Sequence, residues 1–442
     1  MKKNSKAERK GSGSSPLSGN TKQKKTAPDP DPERMLAELI AKLSAKTTPA
    51  MLAPMAELAG QAVAREMSGG ANPTGQRMER KRYGMNLDRL TIGLDLGDKK
   101  SNYCILSPDG EIMTEGKVAT EREAMGKQFA VLSSSRVVME VGTHSAWVEE
   151  VLEECGHEVV VANARKMEGN RKRKKNDKED ARLLARKGRA DPESLYPIEQ
   201  RGKEVREGLT LVRLRGAAVE VRTKLINALR GVVKSYGERL PKCSSESFVR
   251  RAGEEIPEGL EGITEPLVEL LEAVNETIGK YDQAVEKLAK EKYGEETGRM
   301  RQVKGVGVLT SLTFVLTIGD PGRFRKSRDV GPYLGLVPRQ EESGESAPQL
   351  RITKAGDEDL RCLLVGSAHY ILGPFGEDCD LRRYGLALSE RGGENGKKRA
   401  VVAVARRLAV LLHRLWVSGE DYEPLRNARL REAAEQGKGQ AA

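Results

Sequence analysis

Apolar residues form short runs between residues 90 and 163, and amphipathic segments separate these runs. The runs LTIGLDLG, RVVMEV and EVVVAN have the length and aliphatic content of buried strands. Between them, EREAMGKQFAVLS and SAWVEEVLEEC have helical spacing, and the PDG sequence at residues 108–110 predicts a hairpin turn. A hairpin followed by alternating helices and strands predicts an α/β unit with a mixed sheet.

The apolar period changes to that of helices after Asp177. A heptad pattern covers three repeats and predicts a coiled-coil seam. Its apolar positions are Leu267, Leu271, Val274, Ile278, Tyr281, Val285 and Leu288. The seam fits pairing either with the amphipathic stretch 209–236 of the same chain or with a second chain. Two further helices are expected near residues 360–372 and 400–416.

These patterns divide the chain into five segments. We expect a disordered basic tail with short helices (1–86), a mixed-sheet domain (87–200), a helical coiled-coil region (201–298), a mainly helical C-terminal domain (299–425) and a frayed tail (426–442). The first segment carries eight Lys and Arg residues within 25 positions, together with Gly, Ser and Pro. Such a composition buries too little apolar surface to offset the entropy lost on ordering.

The charge of the chain points to a polyanionic partner. It has 442 residues, with 76 Lys and Arg against 65 Asp and Glu, a net charge of +11. Without a long apolar segment, neither a membrane protein nor a secreted one is expected, and nucleic acid is the favoured partner. Five scattered cysteines without a CxxC pair fit a reducing cytoplasm, where the protein would associate with the nucleoid.

Four acidic residues have a pattern that suggests chemistry. Asp95 lies in the apolar run LTIGLDLG and Glu140 in RVVMEV, where a lone acid is costly unless it binds a metal or makes strong hydrogen bonds. Asp177 and Asp180 share one helix face, so four carboxylates are expected at one end of the sheet. Hard oxygen ligands suit Mg²⁺ or Mn²⁺, and two such ions serve phosphodiester chemistry. Taken alone, Asp177 and Asp180 also fit an ordinary capped helix start.

The same residues carry a resemblance to a known family. GLDLG, MEVGTHSAW and KNDKEDARLLA resemble the DEDD domain of the insertion-sequence-110 family of transposases, which has a RuvC-like, RNase H fold. Four later segments are similar, in the same order, to that family's C-terminal transposase domain: VKGVGVLTSLTFVLTIGDPGRF, YLGLVPRQEESGE, RITKAGDEDLRCLLVGSA and KKRAVVAVARRLAVLLHRLW. The resemblance spans residues 90–424 and leaves the N-terminal segment unexplained.

The resemblance implies an RNA-guided DNA recombinase. In this family a structured noncoding RNA, the bridge RNA, pairs with donor and target DNA, and a serine cleaves DNA beside the DEDD metal site. The matching serine is Ser343, with Ser346 as the second candidate. A serine hydroxyl that attacks a phosphodiester leaves DNA covalently joined to the protein, and rejoining then needs no ATP. Cutting two duplexes requires a dimer or a tetramer.

Basic and glycine residues supply candidate contacts to nucleic acid. A run of basic residues precedes the helix that carries Asp177, and it favours a clamp on the phosphate backbone over a merely solvated patch. Its members are Arg165, Lys166, Arg171, Lys172, Arg173, Lys174 and Lys175. Lys304, Gly305 and Gly307 resemble a helix-hairpin-helix turn, in which glycine lets backbone amides approach a phosphate. Further candidates are Arg351, Lys354, Arg361, Lys397 and Lys398.

Three other functions fit parts of the sequence. A RuvC-type Holliday-junction resolvase would use the same four acids without a serine. A sugar kinase or actin-like ATPase would explain the hairpin GLDLGDKKSNYCILSPDGEI, but the second copy of the domain that those folds carry is missing. A non-catalytic nucleic-acid scaffold would not depend on Asp95 or Glu140.

Overall fold

The computed structural model describes residues 89–163, 177–253, 255–341 and 350–430. Four predictions lie outside these residues: those for the tail 1–86, for the basic run at 165–175, for Ser343 and Ser346, and for the frayed end beyond residue 430. The helices in the described ranges include none that is both long enough and apolar enough to cross a membrane.

Five strands form one mixed sheet in the order β3-β2-β1-β4-β5. The strands are β1 (Thr91–Asp95), β2 (Lys100–Leu106), β3 (Ile112–Ala119), β4 (Arg136–Glu140) and β5 (Glu158–Ala162). The first three pair antiparallel, whereas β4 and β5 run parallel to β1. The predicted turn joins β2 to β3, with Gly110 at φ +89°. The mixed α/β sheet is therefore confirmed.

Helices cover both faces of the sheet. Helices α1 (Arg122–Phe129) and α2 (Ser145–Glu154) pack on the face that carries Leu94 and Met139, where both of these side chains are fully buried. Helix α3 (Asp177–Ala190) covers the opposite face. Alternate residues of each strand point to opposite faces, so Gly93 and Asp95 share the face that α3 covers.

Two long helices follow the sheet domain and form a hairpin. Helix α4 (Lys203–Ser235) and helix α6 (Glu261–Lys292) flank the short helix α5 (Phe248–Gly253). Ion pairs between Arg215 and Asp282 at 2.6 Å, and between Lys292 and Glu204 at 3.2 Å, show that α4 and α6 are antiparallel. Each helix is about 48 Å long, given a rise of ~1.5 Å per residue.

The predicted heptad seam pairs within the chain. Every seventh position of α6 is buried, namely Leu271, Ile278 and Val285, whereas Val274 and Tyr281 are half-buried. Leu271 packs with α4 residues near the hairpin tip, and Val285 packs with α4 residues at its base. The sequence did not specify whether the seam pairs within the chain or with a second chain, and the structure shows that it packs against α4. A true supercoil stays a prediction.

The C-terminal region is helical, as predicted. Its helices are α7 (Gly294–Arg301), α8 (Val308–Ile318), α9 (Val330–Tyr333), α10 (Glu358–Leu372), α11 (Asp380–Arg391) and α12 (Gly396–Ser418). Helix α12 lies at the centre, where Val404, Leu408 and Leu412 are fully buried. Helices α10 and α12 match the two predicted after residue 350, whereas α11 was not predicted; it carries three arginines, and only its Leu381 and Gly385 are buried.

Candidate active site

The two strand acids end neighbouring parallel strands. Asp95 is the last residue of β1 and Glu140 the last of β4, and the register pairs Leu94 with Met139. Asp95 is half-buried and Glu140 is exposed, so neither is enclosed in an apolar strand as the sequence suggested. The correction has a physical reason: at a strand end the carboxylate reaches water and avoids the cost of desolvation.

Helix α3 delivers the second pair of acids to the same edge. Its first turn carries Asp177 and Asp180. A β-carbon on Gly93 would lie 1.9 Å from the carbonyl oxygen of Ala181, so α3 packs on β1 backbone to backbone. This contact requires glycine at position 93.

The far end of α3 lies at the opposite edge of the sheet. The carbonyl of Gly188 accepts a hydrogen bond of 3.2 Å from Arg136, the first residue of β4. Helix α3 therefore runs from the carboxyl ends of the strands towards their amino ends. Its N-terminus lies at the edge where Asp95 and Glu140 stand.

The four acids share an edge but do not converge on one point. Among the residues that the structure describes, no group of three or more Asp, Glu, His or Cys side chains is close enough to hold a metal ion. Asp177 is exposed and Asp180 half-buried. The chemistry of the donors, four carboxylates, fits Mg²⁺ or Mn²⁺, and both pairs come from rigid elements.

Two further side chains lie near this edge: His144, which the sequence suggests as a helix-start residue, and Asp98, which was not predicted. His144 lies 3.9 Å from Asp98, which occupies the loop between β1 and β2. Trp147 donates a hydrogen bond of 3.2 Å to Nδ1 of His144, so Nε2 is the nitrogen that faces Asp98. Asp98 comes directly after the GLDLG motif, and this position is the feature of the sequence that could have indicated that Asp98 lies near the acids.

An ion-pair network anchors α3 beside the acids. Both oxygens of Glu115 on β3 accept hydrogen bonds from the guanidinium of Arg182, which also bonds to Glu179 at 2.6 Å. The Arg182 side chain lowers the pKa of the Glu115 carboxyl below its usual range, chiefly through this hydrogen bonding. The pair joins the start of α3 to β3.

The segment that carries Ser343 and Ser346 starts and ends on a two-stranded stem. Pro338 and Ile352 form an antiparallel bridge, and the amide of Arg339 donates a hydrogen bond of 2.9 Å to the carbonyl of Arg351. In the sequence the two serines fall between residues 339 and 351, outside the described residues. The stem holds the two ends of the serine segment side by side.

The predicted glycine turn joins α7 to α8. Gly305 has φ +91°, and a β-carbon there would lie 2.8 Å from the ring of Tyr370. Gly307 is the extended residue before α8. Lys304 is exposed and lies 3.5 Å from Glu377. The structure thus has a tight turn between two helices here, and both the helix-hairpin-helix assignment and the contact with phosphate stay predictions.

The remaining predicted contacts divide into exposed and buried residues. Arg351, Lys354, Lys397 and Lys398 are exposed. Arg361, in contrast, is 7% exposed, and its Nη1 donates to the backbone carbonyls of Leu334 and Ala355 at 3.3 and 3.0 Å. The prediction for Arg361 is corrected: its guanidinium holds the loop before α10 and does not face solvent.

Comparison with known proteins identifies two regions of the chain. A family model described as a transposase, of the DEDD type of IS110, matches residues 92–238. A second model, the transposase IS116/IS110/IS902 family, matches residues 298–373. The first match contains the four acids, and the second contains the glycine turn and the serine segment.

Complete transposases resemble most of the chain. The transposase for insertion sequence element IS1111A of Coxiella burnetii is 29% identical over 356 residues, which cover 78% of this chain and 94% of the relative. The transposase for insertion sequence element IS1328 of Yersinia enterocolitica is 26% identical over 63% of this chain and 82% of the relative. The chain belongs to the IS110 family of insertion-sequence transposases, enzymes that process DNA, and its sheet domain has the RuvC-like fold.

Proposed function

We propose that this transposase cleaves and exchanges strands between donor and target DNA, with Ser343 as the nucleophile beside a DEDD metal site. The observation that carries the proposal is the shared edge of the sheet. Strands β1 and β4 and helix α3 bring Asp95, Glu140, Asp177 and Asp180 to that edge. The second support is the stem that presents the serine segment.

The four carboxylates are the proposed ligands of the metal. Two Mg²⁺ or Mn²⁺ ions bound there would supply positive charge that activates a hydroxyl and stabilises a leaving oxygen. Carboxylates at the ends of β1 and β4 are positioned by the sheet, and those of α3 by its backbone contact with Gly93. The protein thus contributes a donor set whose backbone is fixed before substrate arrives.

The covalent step uses the serine hydroxyl. The Oγ atom of Ser343 attacks the scissile phosphorus, and the bond from phosphorus to one deoxyribose oxygen breaks. That oxygen takes up a proton and leaves as a free hydroxyl, while DNA stays joined to the serine. The hydroxyl of the partner strand then reverses the attack, so the number of phosphodiester bonds is conserved.

The proposal also names RNA and a second subunit as partners. A structured noncoding guide RNA would select donor and target DNA by pairing, which agrees with the net charge of +11. A dimer or tetramer would provide one serine for each strand that is cut. Because its substrates are chromosomal DNA, we place the protein at the nucleoid in the cytoplasm.

Trapping the covalent adduct tests the serine. Full-length protein, guide RNA and labelled donor DNA are mixed with Mg²⁺, denatured, and resolved on a gel. We expect a DNA-linked band with wild type and with Ser346→Ala, and none with Ser343→Ala, because the attacking oxygen is gone. An adduct in Ser343→Ala would disprove this nucleophile. Cleavage of four-way junctions at the wild-type rate by Ser343→Ala would favour a RuvC-type resolvase instead.

A second arm of the experiment tests the guide RNA. Pretreatment with ribonuclease should abolish strand exchange, and fresh guide RNA should restore it. Recombination that is unchanged after ribonuclease treatment would refute RNA guidance while leaving the serine assignment intact.

A further inference from the structure

A basic groove opens in the C-terminal region, and its lining includes none of the four acids of the sheet. It has a volume of about 1290 Å³ and lies between α11, α12, the stem strands and residues 422–427. Eight Lys and Arg residues line this basic groove, against two acids, Asp380 and Glu423. Small-molecule pockets usually measure roughly 300–1,000 Å³, so the size favours a polymer as the occupant.

One face of α12 supplies the basic side. Arg399, Arg406, Arg407 and Arg414 line the groove, and Arg351 of the stem faces it from the other side. From Arg399 to Arg414 the helix rises by about 22 Å. At ~3.4 Å per nucleotide of a stacked strand, this length corresponds to about six nucleotides.

Three of these arginines lack an acidic partner. No carboxylate within the described ranges lies at salt-bridge distance from Arg406, Arg407 or Arg414. The Nε atom of Arg414 is buried and has no hydrogen-bond partner among the described residues. Asp380, in contrast, is occupied, since its carboxylate accepts the backbone amide of Asn427 at 2.7 Å. Within the described residues, eight basic side chains against two acids therefore leave the groove with a net positive charge.

The floor of the groove is apolar and aromatic. Leu381, Val402 and Val410 contribute aliphatic surface, and Tyr384 contributes a ring. The guanidinium of Arg407 lies 3.4 Å from the centre of that ring. A basic rim above an apolar floor suits an unpaired nucleic-acid strand, whose phosphates meet the arginines while its bases contact the floor. In a duplex the bases are stacked inside, so a duplex would use the rim alone.

The groove also adjoins the serine segment. Leu336 and Pro338 on one strand of the stem, and Leu350 and Ile352 on the other, line its wall. A strand lying in the groove therefore passes the point where the segment with Ser343 leaves and re-enters the described structure.

We infer that the basic groove binds an unpaired DNA strand next to the cut site. The inference rests on the proposed function only in naming that strand as the one that is cleaved. DNA is the expected strand because the family acts on DNA. An RNA strand offers the same phosphate chemistry, so the experiment compares the two directly.

Binding by full-length protein tests the groove. Fluorescence anisotropy is measured with a labelled 12-nucleotide DNA, an RNA of the same sequence, and a 12-base-pair duplex, over a range of salt concentrations. The triple variant Arg406→Gln, Arg407→Gln, Arg414→Gln should bind single-stranded DNA at least tenfold more weakly. Its slope of log affinity against log salt should fall by about 2, because each phosphate contact on a single strand contributes ~0.7.

A matched triple variant controls for the loss of charge. Arg239→Gln, Arg250→Gln, Arg251→Gln removes three exposed arginines near the tip of the helical hairpin. This control should change the affinity less than twofold. In addition, Tyr384→Ala should weaken single-stranded binding about fivefold or more and leave the salt slope unchanged, because it removes stacking and no charge. Unchanged circular dichroism and melting temperature confirm that each variant is folded.

The outcomes separate this inference from the proposed function. A Tyr384→Ala loss as large for duplex as for single-stranded DNA, or a control variant as weak as the groove variant, would overturn the groove. Tighter binding of RNA than of DNA, lost in the groove variant, would assign the groove to RNA and overturn the DNA assignment. Ser343→Ala should bind as wild type, so failure of the serine mechanism leaves this binding result standing.

Discussion

The acidic edge of the sheet and the basic groove of the C-terminal region differ in how the chain builds them. Two strands and the start of one helix supply the acids, so their positions follow from strand register and from one backbone contact. One helix face supplies the arginines, which a second helix and the stem enclose. The edge is rigid in its backbone, whereas the groove depends on long side chains.

That difference explains what could be read from the sequence. An acid in an apolar strand breaks a pattern, so Asp95 and Glu140 stand out even though their burial was overstated. Arginines spaced along an amphipathic helix follow the ordinary pattern of a solvated face. Arg407 becomes conspicuous only when Tyr384 of α11 packs against it, and α11 itself was missed.

Other parts of the fold were ambiguous for similar physical reasons. The heptad seam of α6 predicted a partner, but apolar spacing does not specify whether that partner belongs to the same chain. Arg361 looked like a contact because charge alone gives no sign of burial, and its position depends on carbonyls of the loop before α10. The mixed α/β sheet, in contrast, followed from the hairpin and from the alternation of strands and helices.

The largest expected effect comes from a substitution at the acidic edge that abolishes cleavage and leaves DNA binding by the basic groove unchanged. Asp95→Asn should lower the rate of strand cleavage at least about a thousandfold, because a metal site contributes several kcal/mol to the transition state. Binding of single-stranded DNA should not change. Single-turnover cleavage measures the first effect and anisotropy the second. Asp109→Asn, an exposed acid in the turn between β2 and β3, is the control and should cleave within about threefold of wild type.

A pair of glycine substitutions compares how well each region tolerates an added methyl group. Gly93→Ala should lower the free energy of unfolding by about 3 kcal/mol, because the new methyl group meets the fixed backbone of α3. In Gly385→Ala the methyl group would lie 2.5 and 2.6 Å from methyl groups of Leu372 and Val404, which must shift; because side chains yield more than backbone and alanine favours the helix, the loss should be about 1–2 kcal/mol.

The two tryptophans report on each region separately during urea unfolding. Trp147 lies in α2 and Trp416 in α12, and the chain contains only these two. In variants that retain one tryptophan, Gly93→Ala should lower the urea concentration at the midpoint of the unfolding transition that Trp147 reports. Equal destabilisation by the two glycine substitutions would contradict the contrast between rigid backbone and movable side chains.

The smallest expected effect is a pH dependence confined to the C-terminal region. His413 is buried, with ring nitrogens 3.0 Å from the Ser327 hydroxyl and the Pro321 carbonyl, and this burial lowers the pKa of its imidazole. In the unfolded chain the imidazole of His413 takes up a proton near pH ~6.5. The buried, neutral side chain of His413 therefore contributes fully to stability above that pH, and this contribution is lost as the pH falls.

We expect the free energy of unfolding reported by Trp416 to be about 1 kcal/mol lower at pH 5.5 than at pH 7.5. The variant His413→Gln should lose this difference. A pH effect that is as large at Trp147 as at Trp416 would mean that the two regions unfold as one unit.

The contact of α3 with Gly93 also bears on how the family can diverge. Asp177 and Asp180 are placed by the docking of their helix on the sheet, not by the length of chain that leads to it. Insertions and deletions in residues 164–176 can therefore accumulate without moving the acids. Selection should preserve small residues at 93, 181, 185 and 188, while the preceding basic segment is free to vary in length and charge as it adapts to new nucleic-acid partners.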